Sequence, residues 1–179
     1  MRKASGFIAA VLLLVALAGC SGQKTQASAS STHVSTTVVA CSQVGTKRLA
    51  KTRFLLHAGL GIGAFRHFVY EPFKAGKFNK GANGRVKAMV VAGGAALFAY
   101  HELKTAKRFA EADKTLCKLV APIDKLTAAL PSLGSGLKSG QLNSTGIATT
   151  AQNVASFKGS ATKLGAPISE QVPPSIPGT

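Results

Sequence analysis

Acidic residues, aromatic residues and cysteines are all scarce in this chain, and each scarcity excludes a class of protein. The 179 residues include six Asp or Glu, four His, two Tyr, three Cys and no Trp. So few carboxylates and imidazoles leave little material for acid–base catalysis or a metal site, so we expect no enzyme activity and no cofactor. Three cysteines cannot build a disulfide-dense scaffold. The apolar runs are also shorter than the roughly 20 residues that span a bilayer.

Positive charge is abundant by contrast. The chain carries 22 Lys or Arg and a formal net charge of +16. A charge of this size bears on the choice of partner and not on the fold. We therefore expect an anionic partner.

The first 20 residues look like a bacterial export signal. Two basic residues precede an uncharged apolar run, which ends in Leu17-Ala18-Gly19-Cys20. This segment resembles the lipobox of bacterial lipoproteins. The resemblance implies that residues 1–19 are a signal peptide that is removed, and that Cys20 receives the lipid. It also implies a protein anchored outside the cytoplasm, in the cell membrane or the outer membrane. An ordinary signal peptide ending at Gly19 is the alternative.

This location narrows the choice of anionic partner. Outside the cytoplasm the abundant anions are lipid head groups and envelope polymers. The compartment argues against nucleic acid. A protein partner also remains open.

Composition divides the mature chain into three parts. Residues 20–40 are rich in Ser, Thr, Ala and Gln and predict a flexible tether spanning about 24 Å. Residues 41–165 form the predicted helical domain. Residues 166–179 include four prolines, three of them between residues 171 and 179, and predict a disordered tail.

The apolar spacing between the tails follows the period of a helix and predicts an all-α fold. We expect a small bundle built on a long antiparallel helical hairpin. The first helix should stop at Pro72. The second should run from Arg85 to Pro122 without a break, and it could bend there and continue. The last should end at Gly165.

Centring the hairpin turn on Phe78 gives a register for its two arms. Gly63 then lies opposite Gly93, which predicts close helix packing. The same register brings Cys41 within two positions of Cys117, and an oxidising compartment permits a disulfide between them. Two buried thiols are the alternative.

Two histidines fall at one level of this hairpin, His57 on the first arm and His101 on the second. They are weak candidates for binding a haem iron or a transition metal. The simpler interpretation is that they hydrogen-bond to each other or to the backbone, with no metal. The first interpretation gives an alternative function, a carrier of haem or of an apolar molecule between the helices.

The turn of the hairpin combines basic and aromatic residues. Cations attract anionic surfaces, and phenyl rings can enter the head-group region of a bilayer. The alternative places the rings in the core and leaves the lysines merely solvated. We predict a non-enzymatic, lipid-anchored protein that binds anionic lipid or wall polymer through Arg66, Phe73, Lys74, Lys77, Phe78, Lys80, Arg85 and Lys87.

Overall fold

A computed structural model describes residues 49–176 of the chain. The predictions for the signal peptide, Cys20, the tether and Cys41 fall outside these residues. Within them the fold is all-α, without a β-strand, and this prediction is confirmed. The helices are α1 (Ala50–Phe65), which a π-helical turn (Arg66–Tyr70) joins to α2 (Glu71–Lys74), then α3 (Arg85–Ala110), a 3-10 turn (Leu116–Leu119), α4 (Val120–Lys138) and α5 (Ser144–Lys163).

Pro72 does not end the first arm of the hairpin, although the sequence predicted that it would. The π-helical turn interrupts the α-helical hydrogen-bond pattern just before it, so Pro72 lies in the first turn of α2. A proline is tolerated in that position because its missing N–H would have no partner within the helix. The first arm therefore continues to Lys74.

The hairpin of α1 and α3 is confirmed, but its register differs from the prediction. Since the first arm extends to Lys74, the centre of the turn moves from Phe78 to between Asn79 and Lys80. Gly61 consequently packs on Ala99. A Cβ atom on Gly61 would lie 3.2 Å from the Ala99 carbonyl oxygen.

The predicted long second helix is two helices. α3 ends at Ala110, and the chain then reverses although neither Gly nor Pro occurs there. The Asp113 carboxylate makes the turn, because its Oδ1 accepts hydrogen bonds from the N–H groups of Thr115 (2.8 Å) and Leu116 (2.9 Å). Pro122 lies in the first turn of α4, where a proline is tolerated.

α4 packs antiparallel against α3 through a pair of glycines. A Cβ atom on Gly93 would lie 2.7 Å from the carbonyl oxygen of Gly134, closer than real Cβ atoms approach. Gly93 therefore faces Gly134 of α4. The predicted register, which placed Gly93 opposite Gly63, is wrong on this point. The core forms between these helices and α5, where Phe54 meets Phe157 edge to face at 6.3 Å.

α5 ends as predicted at Gly165, which has a left-handed backbone with φ of 69°. The N–H of Gly165 bonds to Thr162, and that of Ala166 bonds to Ala161. These two bonds form a Schellman motif, which favours glycine at this position. At its other end, α5 is capped by Asn143, whose side chain accepts from the Gly146 N–H at 2.8 Å.

The prediction of a disordered tail is wrong for residues 166–176, which pack against the helices without regular secondary structure. Ala166, Ile168 and Ile176 are buried, and the Gln171 N–H donates to the Gly59 carbonyl oxygen at 3.1 Å. Prolines stiffen this segment without preventing its apolar side chains from reaching the core. We call residues 166–176 the C-terminal strap.

No helix within residues 49–176 has both the length and the apolar character needed to cross a membrane.

Candidate functional site

The loop between α2 and α3, with the helix ends on either side of it, presents four lysines at one end of the bundle. Three glycines with positive φ, at positions 76, 81 and 84, turn the chain here. All four lysine side chains are exposed. We call this group, Lys74, Lys77, Lys80 and Lys87, the lysine tip.

Phe78 does not belong to the exposed surface of this loop, contrary to the prediction. Only 1% of its surface is accessible, and it packs into the core. Phe73 is half-buried and packs against the same core. The two rings hold the loop on the bundle, since burying a phenyl group is more favourable than exposing it.

Arg85 has a structural position in the loop. Its Nε donates to the Phe78 carbonyl oxygen at 2.9 Å, and its Nη2 donates to the Gly140 carbonyl oxygen at 3.1 Å. Arg85 therefore joins the loop to the end of α4, and its hydrogen-bond donors are partly used.

Arg66 also lies apart from the loop, within the π-helical turn. Its Nη1 donates to both carboxylate oxygens of Glu170 at 3.1 Å, and its Nε lies 3.6 Å from Glu71. The structure thus separates the predicted surface residues. Four lysines remain exposed together. The two arginines instead bind other groups of the protein, and the two phenylalanines pack against the core.

The carboxylates explain why the lysine tip remains uncompensated. All six acidic residues of the chain lie within residues 49–176, and each interacts with a group elsewhere. Within these residues, no carboxylate forms an ion pair with the lysine tip. The pairs are Glu71 with Arg66 and His67, Glu102 with His57, Glu111 and Asp124 with Lys107, and Glu170 with Arg66 and Lys158, while Asp113 bonds to backbone.

The two histidines proposed as metal ligands have separate surroundings. His57 Nδ1 lies 2.7 Å from Glu102 Oε2, and its ring stacks on Phe109 at 5.6 Å. The sequence analysis had expected His57 to hydrogen-bond to His101 or to the backbone. That expectation is wrong, because its partner is Glu102. This pairing follows from the shifted register, which places Glu102 opposite His57. His101 is exposed and contacts the Tyr100 ring. Among the described residues no three His, Cys, Asp or Glu side chains group as a metal site would require.

A groove that the sequence did not reveal lies between the π-helical turn, α5 and the C-terminal strap. Its volume is about 550 Å³, which falls within the usual range of small-molecule sites, about 300–1,000 Å³. Phe65, Tyr70 and Val154 supply apolar surface, and Arg66, Lys158 and Glu170 supply charge. π-Helical turns are frequent at functional sites, but nothing in the sequence predicts this turn. We call the groove the Arg66–Lys158 groove.

Glu170 is the centre of charge in this groove. It accepts hydrogen bonds from both Arg66 and Lys158. Partial burial raises the pKa of the Glu170 carboxyl, but the hydrogen bonds and charges of Lys158 and Arg66 together outweigh burial and leave this pKa below its ordinary value. The hydrogen bond and charge of Glu170 in turn raise the pKa of Arg66. The carboxylate is thus ionised and held between two cations.

Cys117 is disulfide-bonded and 4% exposed. No other cysteine occurs in residues 49–176, so its partner lies outside them. Pairing with Cys41 stays a prediction.

No known protein family, curated protein or solved structure matches this chain. The functional argument therefore depends on the geometry and charge of its own residues.

Proposed function

We propose that this is a non-enzymatic, lipid-anchored protein outside the cytoplasm whose lysine tip binds anionic envelope components, either lipid head groups or wall polymers. The observation that carries the proposal is the group of four exposed lysines without a carboxylate partner among residues 49–176. Uncompensated cations at one end of a rigid bundle suit an extended anionic surface better than a small enclosed anion.

The lipid anchor rests on the similarity of Leu17-Ala18-Gly19-Cys20 to a lipobox. An anchored protein meets the membrane surface at high local concentration, so a modest affinity of the tip suffices. Metabolic labelling with a fatty-acid analogue tests this part separately. The label should mark the protein and disappear in Cys20→Ser, and undiminished labelling of that variant would refute the anchor.

The mode of binding should be electrostatic and not insertion of aromatic rings. Each basic group near an anionic membrane surface contributes about 1 kcal/mol, so the tip supplies about 4 kcal/mol. Phe78 cannot add to this, because its ring is in the core. Lys74 Nζ lies 5.8 Å from the centre of the Tyr70 ring, which holds one of the four charges near the helix end.

Co-sedimentation tests the proposal. The chain from Ser21 onward is mixed with phosphatidylglycerol vesicles, with phosphatidylcholine vesicles and with purified wall polymer. We expect retention on one or both anionic materials at low salt and release towards 1 M salt, since the Debye length falls from about 10 Å at 0.1 M to about 3 Å. Equal retention on the neutral vesicles, or retention on none, would overturn the proposal.

A further inference from the structure

The Arg66–Lys158 groove has more hydrogen-bond donors than its own carboxylate can use. A guanidinium offers five N–H groups and an ammonium three. Among the described residues that line the groove, Glu170 carries the one carboxylate. Gln152 and Tyr70, which also line it, can donate as well. Glu71, outside the groove, lies 3.6 Å from Arg66 Nε and occupies that side of the guanidinium. The N–H groups that remain within the groove suit an anion.

The rest of the groove is apolar. Phe65 is 2% exposed and forms part of its wall, and Ala151 and Val154 of α5 pack against the same core. Such a surface is favourable for an aliphatic or aromatic body and offers little to a small hydrated ion. The charged side chains lie beside this wall, so one molecule could touch both.

We infer that the groove binds an amphiphile with an anionic head and an apolar body. Arg66 and Lys158 hold the carboxylate or phosphate head in the place that the Glu170 carboxylate occupies. Phe65 and Val154 contact the body. This binding of a single molecule in a groove is independent of the proposed contact between the lysine tip and a surface.

Glu170 is in this arrangement an internal competitor for the ligand head. It belongs to the C-terminal strap, which is fixed to α1 by the bond from Gln171 to Gly59. A ligand must displace the Glu170 carboxylate from Arg66 and Lys158. The loss of these ion pairs therefore weakens ligand binding. Removing the charge of Glu170 should therefore strengthen binding, an effect that a merely apolar groove would not show.

The test is calorimetric titration of the full chain carrying Cys20→Ser with amphiphiles below their micellar concentrations. Dodecanoate and dodecyl phosphate carry the anionic heads, dodecyltrimethylammonium carries a cationic head on the same chain, and inorganic phosphate has no chain. We expect one dodecanoate or dodecyl phosphate per protein, with the tighter of the two identifying the head. The cation and inorganic phosphate should not bind measurably. Equal binding of the anionic and cationic amphiphiles would overturn the inference, and this comparison needs no variant.

Variants then locate the site. Arg66→Gln and Lys158→Gln should each weaken dodecanoate binding about tenfold or more, as the loss of a charge-assisted hydrogen bond predicts, and Glu170→Gln should tighten it. Lys125→Gln is the matched control, because it removes one exposed charge outside both the groove and the lysine tip and should leave binding unchanged. A circular dichroism melt checks that each variant is folded. Unchanged affinity in folded Arg66→Gln and Glu170→Gln, or a Lys125→Gln effect as large as that of Arg66→Gln, would overturn the inference.

Discussion

The backbone N–H of Gln171 donates a hydrogen bond of 3.1 Å to the carbonyl oxygen of Gly59, which fixes the C-terminal strap to α1. The approach is so close that glycine is required on the helix. A Cβ atom on Gly59 would lie 2.5 Å from the Ser169 carbonyl oxygen, and one on Gly63 would lie 2.1 Å from that of Gln171. The strap in turn places Glu170 beside Arg66 and Lys158. Two glycines of α1 thus determine the geometry of a groove on another part of the surface.

We predict that Gly63→Ala destabilises the protein although alanine favours a helix. The new methyl group would collide with the backbone of Gln171, and overpacking of this kind costs about 1–3 kcal/mol. Urea unfolding followed by circular dichroism should show this loss in the free energy of unfolding.

Gly159→Ala is the matched control within α5. A Cβ atom there meets nothing within 4 Å, so the change should stabilise the helix by about 0.5–1 kcal/mol. If Gly63→Ala were as stabilising as Gly159→Ala, the strap could not lie where the structure has it.

The ion pair of Glu170 should make part of the stability depend on pH. Because the pKa of Glu170 is lowered on folding, its contribution is fully present above the ordinary carboxyl pKa of about 4.3 and is lost as the pH falls through the lower pKa of the folded state. We expect Glu170→Gln to lower the free energy of unfolding at pH 7 by up to about 1 kcal/mol, the upper range for a partly exposed pair. The difference from the wild type should shrink as the pH falls towards 2.

Glu111→Gln provides a comparison for this pH series. Glu111 lies 3.8 Å from Lys107 Nζ and is exposed, so its replacement should have little effect at either pH. A Glu170→Gln deficit of equal size at pH 7 and pH 2 would show that the carboxylate charge does not hold the strap.

Phe78→Ala should destabilise the protein strongly, because the ring is buried in the core. Truncating a buried phenylalanine costs about 3–5 kcal/mol. Phe73→Ala, at a half-buried position in the same region, should cost clearly less. Thermal and urea unfolding would measure both. A Phe78→Ala loss below that of Phe73→Ala would mean that Phe78 is exposed, as the sequence had suggested.

The disulfide of Cys117 should be made with Cys41. Mass spectrometry of a non-reduced digest of exported protein should find the two peptides linked, and reduction should separate them. A bridge closing a loop this long would stabilise the fold by up to about 4 kcal/mol. A link from Cys117 to Cys20 would contradict both this pairing and the lipidation of Cys20.

The helical period of the sequence was sufficient to predict the fold class and the hairpin, but not the reversal between α3 and α4. Gly and Pro are the usual signs of a turn, and this turn uses the side chain of Asp113 instead. The glycines of α1 and α3 correctly indicated close packing. Their partners were mistaken, because a glycine pattern shows that a backbone approaches without showing which one.

The candidate sites were predictable to different degrees. The four lysines were evident from local charge, whereas the burial of Phe78 depends on how the loop folds back onto the bundle. The Arg66–Lys158 groove could not be predicted. It pairs Arg66 with Glu170, which is 104 positions away in the sequence. Local spacing of residues gives no sign of an ion pair between such distant positions.

The central claim is that the lysine tip binds the anionic surface. Comparing a variant that lacks the lysine tip with one that lacks four other exposed lysines tests this claim most directly. One variant carries Gln at Lys74, Lys77, Lys80 and Lys87. The other carries Gln at four exposed lysines nearer the opposite end of the bundle, Lys51, Lys114, Lys118 and Lys125. Both lose the same net charge, so only the position of the charge differs.

Binding of both variants to phosphatidylglycerol vesicles and to wall polymer is measured at low salt beside the wild type. We predict that the tip variant loses most of its binding and that the variant altered at the opposite end keeps most of it. Equal losses in the two variants would contradict the account, because binding would then follow the net charge of the protein and not the lysine tip.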